Sequence, residues 1–318
     1  MTEQLTRLDD RWSAAGPPRR SNSDAIRAGV GFILAQQEGG RWRDLGLPCG
    51  EADARITACV LARLADLPLH YISQRLQQQV DEALNWLLEI RTCEGGWGPG
   101  CDDAETTAWA VLALRGHRRT PAPSPALDFL RRCRRLDGGF AARPVDSPVA
   151  SPYLRSTAAI TALALRTLGE ADPSSQQFLS TQLKLAAQHP ATSLLVCFEI
   201  LDWDRGLAAP SLLYDVAQVV AVTEASAAMK QALMLRCLLR LRLQRAWLVA
   251  AYLRAMQAED GSWPGRERPK SDGISQFELD DRRVLATATA VSALALAEFQ
   301  PGLYFGSDLP APRRLPAF

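Results

Sequence analysis

The chain has 318 residues, 47% of them hydrophobic and 22% charged, with 36 basic against 35 acidic side chains and a net charge of +1. That length and apolar content build one large domain or two small ones around a sizeable core. The near-zero charge excludes a general electrostatic grip on nucleic acid, so no nucleic-acid partner is expected.

No apolar run reaches the ~20 residues that a membrane-spanning helix needs. The opening stretch MTEQLTRLDDRWSAAGPPRR has no signal-peptide character, so the expected location is cytoplasmic. Seven scattered cysteines without a Cys-x-x-Cys pair read as free thiols. His70, His117 and His189 lie far apart, and no metal site is expected.

Apolar positions recur at three- and four-residue steps, and Val/Ile-rich alternation is almost absent, which indicates an all-α chain. The spacing predicts twelve helices, at about 24–37, 52–66, 76–91, 103–116, 125–135, 152–168, 174–188, 191–201, 210–222, 226–241, 244–258 and 281–298. Connectors such as TPAPSP and WPGRERPKSDG hold most of the glycine and proline. Residues 1–22 read as an irregular N-terminal segment, 23–300 as one domain, and 301–318 as a proline-rich tail.

The domain is repetitive. Four amphipathic helices each run into an acidic or glycine turn with one aromatic: Trp42, Trp97, Phe140 and Trp263. Each is followed by an apolar helix: ITACVLARL, TTAWAVLAL, STAAITALAL and ATATAVSALAL. Trp203, in EILDWDRG, reads as a worn fifth copy. Helix pairs that cannot bury their apolar faces alone stack on neighbours. A second helix that is apolar nearly all round is buried on several sides. The expected architecture is therefore a closed (α/α)6 toroid with the second helices inside.

In the second repeat, CEGGWGPGCDDAETTAWAVLAL, Asp102, Asp103 and Glu105 stand at the entrance to the apolar helix. One reading is a capping box, with Asp102 at the N-cap and Glu105 three residues on. The other is a proton donor. A free glutamate is ionised at neutral pH. A dry apolar ring or a neighbouring carboxylate keeps such a group protonated, while a helix N-terminus favours the anion.

The pattern Gln36…Gly40-Arg41-Trp42, repeated as Gln257…Gly261-Ser262-Trp263, resembles the QW repeat of squalene-hopene cyclases. DAETTA, from Asp103 to Ala108, resembles the class II cyclase signature Asp-x-Asp-Asp-Thr-Ala, and more closely the Asp-x-Asp-Thr-Thr form of drimenyl-type enzymes. Asp281-Arg282 after DGSWPG resembles a class II diterpene cyclase repeat. Residues 24–298 thus resemble the terpenoid cyclase and protein prenyltransferase superfamily.

The resemblance implies protonation-initiated cyclisation of a linear prenyl diphosphate or a prenylated small molecule. It places Glu105 as the proton donor, Asp103 as the first aspartate of the signature and Thr106 in the position of the last. It implies a cavity wall from Trp109, Tyr153, Trp97 and Trp86, although the family role of a repeat tryptophan such as Trp97 is packing. Rim arginines for a diphosphate would be Arg41, Arg43, Arg143, Arg266 and Arg268. No resident cofactor is implied; Mg2+ would accompany a diphosphate substrate. Other partners in this reading are an isoprenoid substrate, a second copy or partner subunit closing one end of the toroid, and a peripheral membrane contact.

The sequence departs from the family in three ways. Glu105 is one methylene longer than aspartate. Aromatics make up only 7% of the chain, few for stabilising cations. The chain is too short for the second helical domain that usually closes the cyclase cavity.

Other chemistries fit less well. No Asp-Asp-x-x-Asp ionises a diphosphate. GGFAARPVDSPVASPY lacks the cysteine of the prenyltransferase zinc loop, and Ala52 stands where a thioester loop needs glutamine. The alternatives are a non-catalytic prenyl- or protein-binding toroid and a subunit completed by another chain.

Overall fold

Three repeat tryptophans are pinned in the same way. The Trp42 backbone N–H donates to the Thr57 hydroxyl at 2.9 Å, and its indole N–H donates to the Ile33 carbonyl at 2.9 Å. Trp97 repeats this with Thr107 (3.0 Å) and the Leu87 carbonyl (2.7 Å), and Trp263 with Thr287 (3.0 Å) and the Leu253 carbonyl (2.6 Å). Phe140 keeps the backbone half, donating to Thr161 at 2.8 Å. All three tryptophans are fully buried. Each such hydrogen bond contributes about 1 kcal/mol net, and a buried donor left without it costs about 1–3 kcal/mol. The aromatic thereby joins the end of one helix to the first turn of the next.

The computed structural model describes residues 20–43, 53–98, 102–118, 124–147, 154–170, 172–186, 190–203, 207–223, 227–264 and 283–298. Among these are twelve α-helices that alternate between two layers. The outer helices are α1 (Asn22–Ala35), α3 (Gln74–Glu89), α5 (Ser124–Arg132), α7 (Pro173–Ala186), α9 (Pro210–Val222) and α11 (Ala246–Ala255). The inner helices are α2 (Asp53–Leu64), α4 (Ala104–Gly116), α6 (Ala158–Leu168), α8 (Pro190–Leu201), α10 (Ala228–Arg240) and α12 (Val284–Glu298). Each inner helix packs on the next, and α12 packs back on both α2 and α1, so the ring closes. The expected double ring is the observed one.

Because outer and inner helices alternate, the inner helices all start at the same end of the ring. In α12 nearly every side chain from Val284 to Ala297 is buried, which explains its lack of a polar face. The only strands among the described residues, β1 (Phe140–Ala141) and β2 (Ser156–Thr157), form one short antiparallel pair beside α6. Among the described residues no helix is long and apolar enough to cross a membrane.

Two details of the repeat differ from expectation. Trp203 follows an inner helix and sends its indole N–H to the Ala162 carbonyl, so it is not a copy of the outer-to-inner turn. In the first repeat Gln37 takes the structural place of Gln257, and Gln36 serves as the C-cap of α1. Gln37 donates to the Gln79 carbonyl of α3, and Gln257 to the Ala25 carbonyl of α1, so each tethers neighbouring outer helices. The first turn is one residue shorter than the last, which moves the glutamine by one position.

Ring closure depends on Gly29 in α1. A Cβ there would lie 2.5 Å from Val291 Cγ2 and 2.9 Å from the Trp263 ring. Gly29→Val is expected to destabilise the protein by about 1–3 kcal/mol through overpacking, read as a lower urea midpoint.

Candidate active site at the mouth of the ring

The turn before α4 sets the direction of its acids. The Gly96 N–H donates to Asp102 at 3.1 Å, and a Cβ at Gly96 would come within 2.5 Å of that carboxylate. Asp102 is therefore buried in the turn and does not cap the helix as expected. The Asp103 N–H is held by the Trp97 carbonyl (2.9 Å), and the Ala104 N–H by the Ala142 carbonyl (2.8 Å). With those groups tied outside the helix, α4 begins at Ala104 and Asp103 becomes the N-cap. Its carboxylate accepts from the Thr106 backbone N–H at 2.8 Å and from the Thr106 hydroxyl. Burial pushes the Asp103 carboxyl above the usual carboxylate range, although the Thr106 bonds and Arg55 pull the other way.

Glu105 then falls in the first turn and reaches across to α2, with no part in a capping box. Arg55 Nη1 donates to both of its oxygens, at 3.2 and 3.1 Å. The two side chains are 34% and 37% exposed, so the pair stands neither in bulk water nor in a dry interior. It stands at the end of the ring where the inner helices begin, here called the mouth, and the axis that they surround is here called the bore.

Deeper along the axis the ring is packed with side chains. Trp109 is 4% exposed, and the Arg63 guanidinium lies 4.7 Å from its ring centroid. The same guanidinium lies 4.4 Å from the Phe198 ring. Arg63 is on α2 and Phe198 on α8, diametrically opposite in the ring, so this contact spans the bore. Arg236 and Arg166 approach Phe198 at 4.5 and 5.5 Å.

Carboxylates balance these cations. Arg166 pairs with Glu199 (2.7 Å) and Asp202 (3.1 Å), and Arg236 with Asp66 (2.6 Å) and Asp202 (3.0 Å). Among the described residues Arg63 has one ion pair, with Glu199 at 3.8 Å. Burial, with Arg236 and Arg166 nearby, lowers the Arg63 pKa to about 10. Cys59 sits between Arg55 and Arg63 on α2, and burial pushes its thiol up.

The other expected site residues divide clearly. Arg41 and Arg43 converge on Asp53, the counterpart of Asp103 in the first repeat, at 3.6 and 2.9 Å. Both guanidiniums keep about a third of their surface exposed beside that carboxylate. Arg143 is buried, and its carbonyl accepts from Arg135 at 2.5 Å. Trp97 does not line the bore, because its indole N–H is held by an outer-helix carbonyl, which keeps the ring between the two layers. Trp86 belongs to the outer helix α3, under Gly40. Tyr153, Arg266, Arg268, Asp281 and Arg282 lie outside the described residues.

The free cysteines among the described residues are Cys59, Cys133, Cys197 and Cys237, all buried, and the exposed Cys93. No cluster of three His, Cys, Asp or Glu that could hold a metal occurs among the described residues. Sequence reasoning missed Arg55, Arg63, Arg166, Glu199 and Arg236. The signal was present as charges interrupting apolar inner helices, such as Arg63 in ITACVLARL.

A carboxyl raised by burial favours the folded state least once it is ionised. Asp103→Asn keeps a good N-cap and removes that cost. The variant should therefore gain stability over the wild type at pH 7, and the gain should vanish near pH 3, where both folded and unfolded Asp103 are protonated. Thermal midpoints at the two pH values check this.

The family profile described as "Prenyltransferase alpha-alpha toroid domain" matches residues 20–114 and 104–188. An ent-copalyl diphosphate synthase from Streptomyces sp. is 32% identical over 120 residues, covering 38% of this chain and 22% of that protein. A drimenyl diphosphate synthase from Streptantibioticus cattleyicolor is 42% identical over 67 residues, 20% of this chain and 13% of that one. The matched segments thus span less than a quarter of either relative. Among solved structures, a type II terpene cyclase, MstE from Scytonema, matches in an apo variant form with a TM-score of 0.66 at 23% identity, over 87% of this chain and 96% of that one. A variant of the same cyclase in complex with geranylgeranyl dihydroxybenzoate matches with a TM-score of 0.64 at 22% identity, over 86% and 96%. The profile alone covers more than half of the residues, and the chain belongs to the prenyltransferase alpha-alpha toroid family.

Proposed function

We propose that this ring is a class II-type terpene cyclase in which Glu105 protonates a linear prenyl chain at the mouth of the bore. The observation that carries the reading is the position of Glu105. It lies in the first turn of an inner helix, pairs with Arg55 on the neighbouring inner helix, and stands one turn above Trp109 at the middle acid of the signature.

In the step, the Glu105 O–H bond breaks and a C–H bond forms at one alkene carbon, leaving a carbocation at the other. Negative charge develops on Glu105 as the proton leaves. Arg55, donating to both carboxylate oxygens, stabilises that charge more in the transition state than in the neutral acid. Asp103 and Thr106 act through the helix start, which aims Glu105. Trp109 closes the space beneath the acid.

The similar type II terpene cyclase structures support the reading, since this chain matches 96% of theirs. The substrate class is a prenyl diphosphate or a prenylated aromatic acid. With a diphosphate, Mg2+ would arrive on the substrate's own oxygens.

The test is incubation of the purified protein with geranyl, farnesyl and geranylgeranyl diphosphates and with geranylgeranyl dihydroxybenzoate, with products read by mass spectrometry. Cyclised product is expected from the wild type. Glu105→Gln should lower its rate by about 10²–10⁴-fold, the usual contribution of a positioned general acid, with little change in melting temperature. Arg55→Gln should also lower the rate. A wild type that cyclises none of these substrates overturns the proposal.

A further inference from the structure

Away from the bore, the turn that follows α5 forms a groove of about 930 Å3 against the outer helix α7. None of the described residues that line it belongs to an inner helix. The turn is tied across its neck: the Arg135 N–H donates to the Gly139 carbonyl at 2.8 Å, and the Gly138 N–H to the Arg135 carbonyl at 3.1 Å. Gly139 lies so close to α7 that a Cβ there would stand 2.9 Å from the Phe178 ring. That contact holds the half-buried ring as one wall of the groove. Leu136 in the turn is fully exposed, and Val145 is 69% exposed. One exposed leucine or valine is ordinary. Here both line a single concavity with Leu154 and Phe178.

Charge decides what kind of ligand suits that wall. Arg134, Arg135 and Arg155 line the same groove. Arg134 is paired with Asp172. Arg135 donates to backbone carbonyls, Leu154 at 3.0 Å and Arg143 at 2.5 Å, and its Nη1 is buried without an acceptor. Arg155 is exposed and makes no ion pair among the described residues. The carboxylate among the described lining residues, Asp137, accepts from the Gly139 N–H at 2.9 Å and from the Ser156 hydroxyl at 2.8 Å. Two guanidiniums therefore stand beside an apolar wall without a carboxylate partner. A guanidinium fork matches the oxygens of a phosphate or a carboxylate.

We propose that this groove is a second binding site, separate from the bore, for a free amphiphile with one apolar chain and a phosphate or carboxylate head. Its volume falls in the range of about 300–1,000 Å3 typical of small-molecule sites, which are mostly apolar with a few placed polar groups. Leu136, Val145, Leu154 and Phe178 take the chain, and Arg155 takes the head. A single chain suits the groove better than a bilayer, because Phe178 and Leu154 form a concave wall that a flat lipid surface does not enter. The groove also adjoins the segment that sets the start of α4. The Arg143 carbonyl, held by Arg135, follows directly on the Ala142 carbonyl that holds the Ala104 N–H.

The experiment is isothermal titration with dodecyl phosphate below its micelle concentration, in wild type, Arg155→Glu, Val145→Asp and Glu105→Gln. The saturated chain has no alkene to protonate, so binding is read without turnover. Wild type should show a saturable site. Arg155→Glu and Val145→Asp each put a negative charge into the groove and should weaken that site by about tenfold or more, the scale of one lost charge-assisted contact. Glu105→Gln should leave the site unchanged. Inorganic phosphate, which lacks the chain, and dodecyltrimethylammonium, which reverses the charge of the head, should each bind at least about tenfold more weakly than dodecyl phosphate. Both groove substitutions lie at exposed positions on different segments, and thermal midpoints near that of the wild type confirm that the variants fold.

A wild type that binds no dodecyl phosphate overturns the site. So does binding that both folded groove variants leave intact, which would place the ligand elsewhere, and so does equal binding of dodecyltrimethylammonium. Vesicles of phosphatidylcholine and phosphatidylglycerol are the remaining arm. If the protein binds them through Arg155 and Val145 but does not bind monomeric dodecyl phosphate, the surface meets a bilayer and the proposal fails. The cyclase reading stands or falls separately: a protein that cyclises nothing but loses dodecyl phosphate with Arg155→Glu and Val145→Asp still has the groove site.

Discussion

The hydrogen bond from each repeat aromatic's backbone to a threonine in the next inner helix is the constraint from which the remaining geometry follows. Thr57, Thr107, Thr161 and Thr287 occupy the same place in the first turn of their helices and receive Trp42, Trp97, Phe140 and Trp263. Where the aromatic is tryptophan, the indole N–H also donates to a carbonyl in the last turn of the outer helix. The backbone and indole N–H groups of all three tryptophans are satisfied in this lock. It fixes where each inner helix begins, and through that, which side chains its first turn presents to the mouth. Glu105 faces Arg55 because Asp103 is the cap, and Asp103 is the cap because Trp97 and Ala142 hold the backbone just before it.

Charge is distributed unevenly along the bore, and energy explains why. At the mouth, water reaches Arg55 and Glu105, so that pair adds little to stability. Deeper, Arg63, Arg166 and Arg236 face Glu199, Asp202 and Asp66 in a layer where only Arg166 and Asp66 keep some exposure. Placing ions there is costly, and such pairs are weak evidence for stability. Removing one partner, however, typically costs about 3–5 kcal/mol because it strands the other. The layer therefore holds one arrangement firmly.

Asp202 shows how the network sustains itself. Burial opposes its charge, but Arg236, Arg166 and Arg240 around it hold the carboxyl well below the usual range. Arg236 is correspondingly held as a cation by Asp66 and Asp202 despite complete burial. Arg63 has the weakest ionic partner of the three and leans on the Trp109 and Phe198 rings, a cation–π arrangement worth most where water is absent.

The sequence by itself determined the twelve helices, their outer and inner alternation, and the position of the acid string before α4. Each of these is written in local signals: a three- to four-residue apolar period, one aromatic per turn, and a carboxylate run at a helix start. Only the tertiary structure decided that Asp103 and not Asp102 caps α4, that Gln37 and not Gln36 tethers the outer layer, and that Trp97 packs between layers. These depend on one-residue differences in turn length and on backbone partners such as Ala142, which lies 38 residues beyond Ala104. The Arg55–Glu105 pair joins residues 50 apart and the Arg236–Asp66 pair residues 170 apart. Such pairings are set by which inner helices become neighbours when the ring closes, and no periodicity within a single helix encodes that.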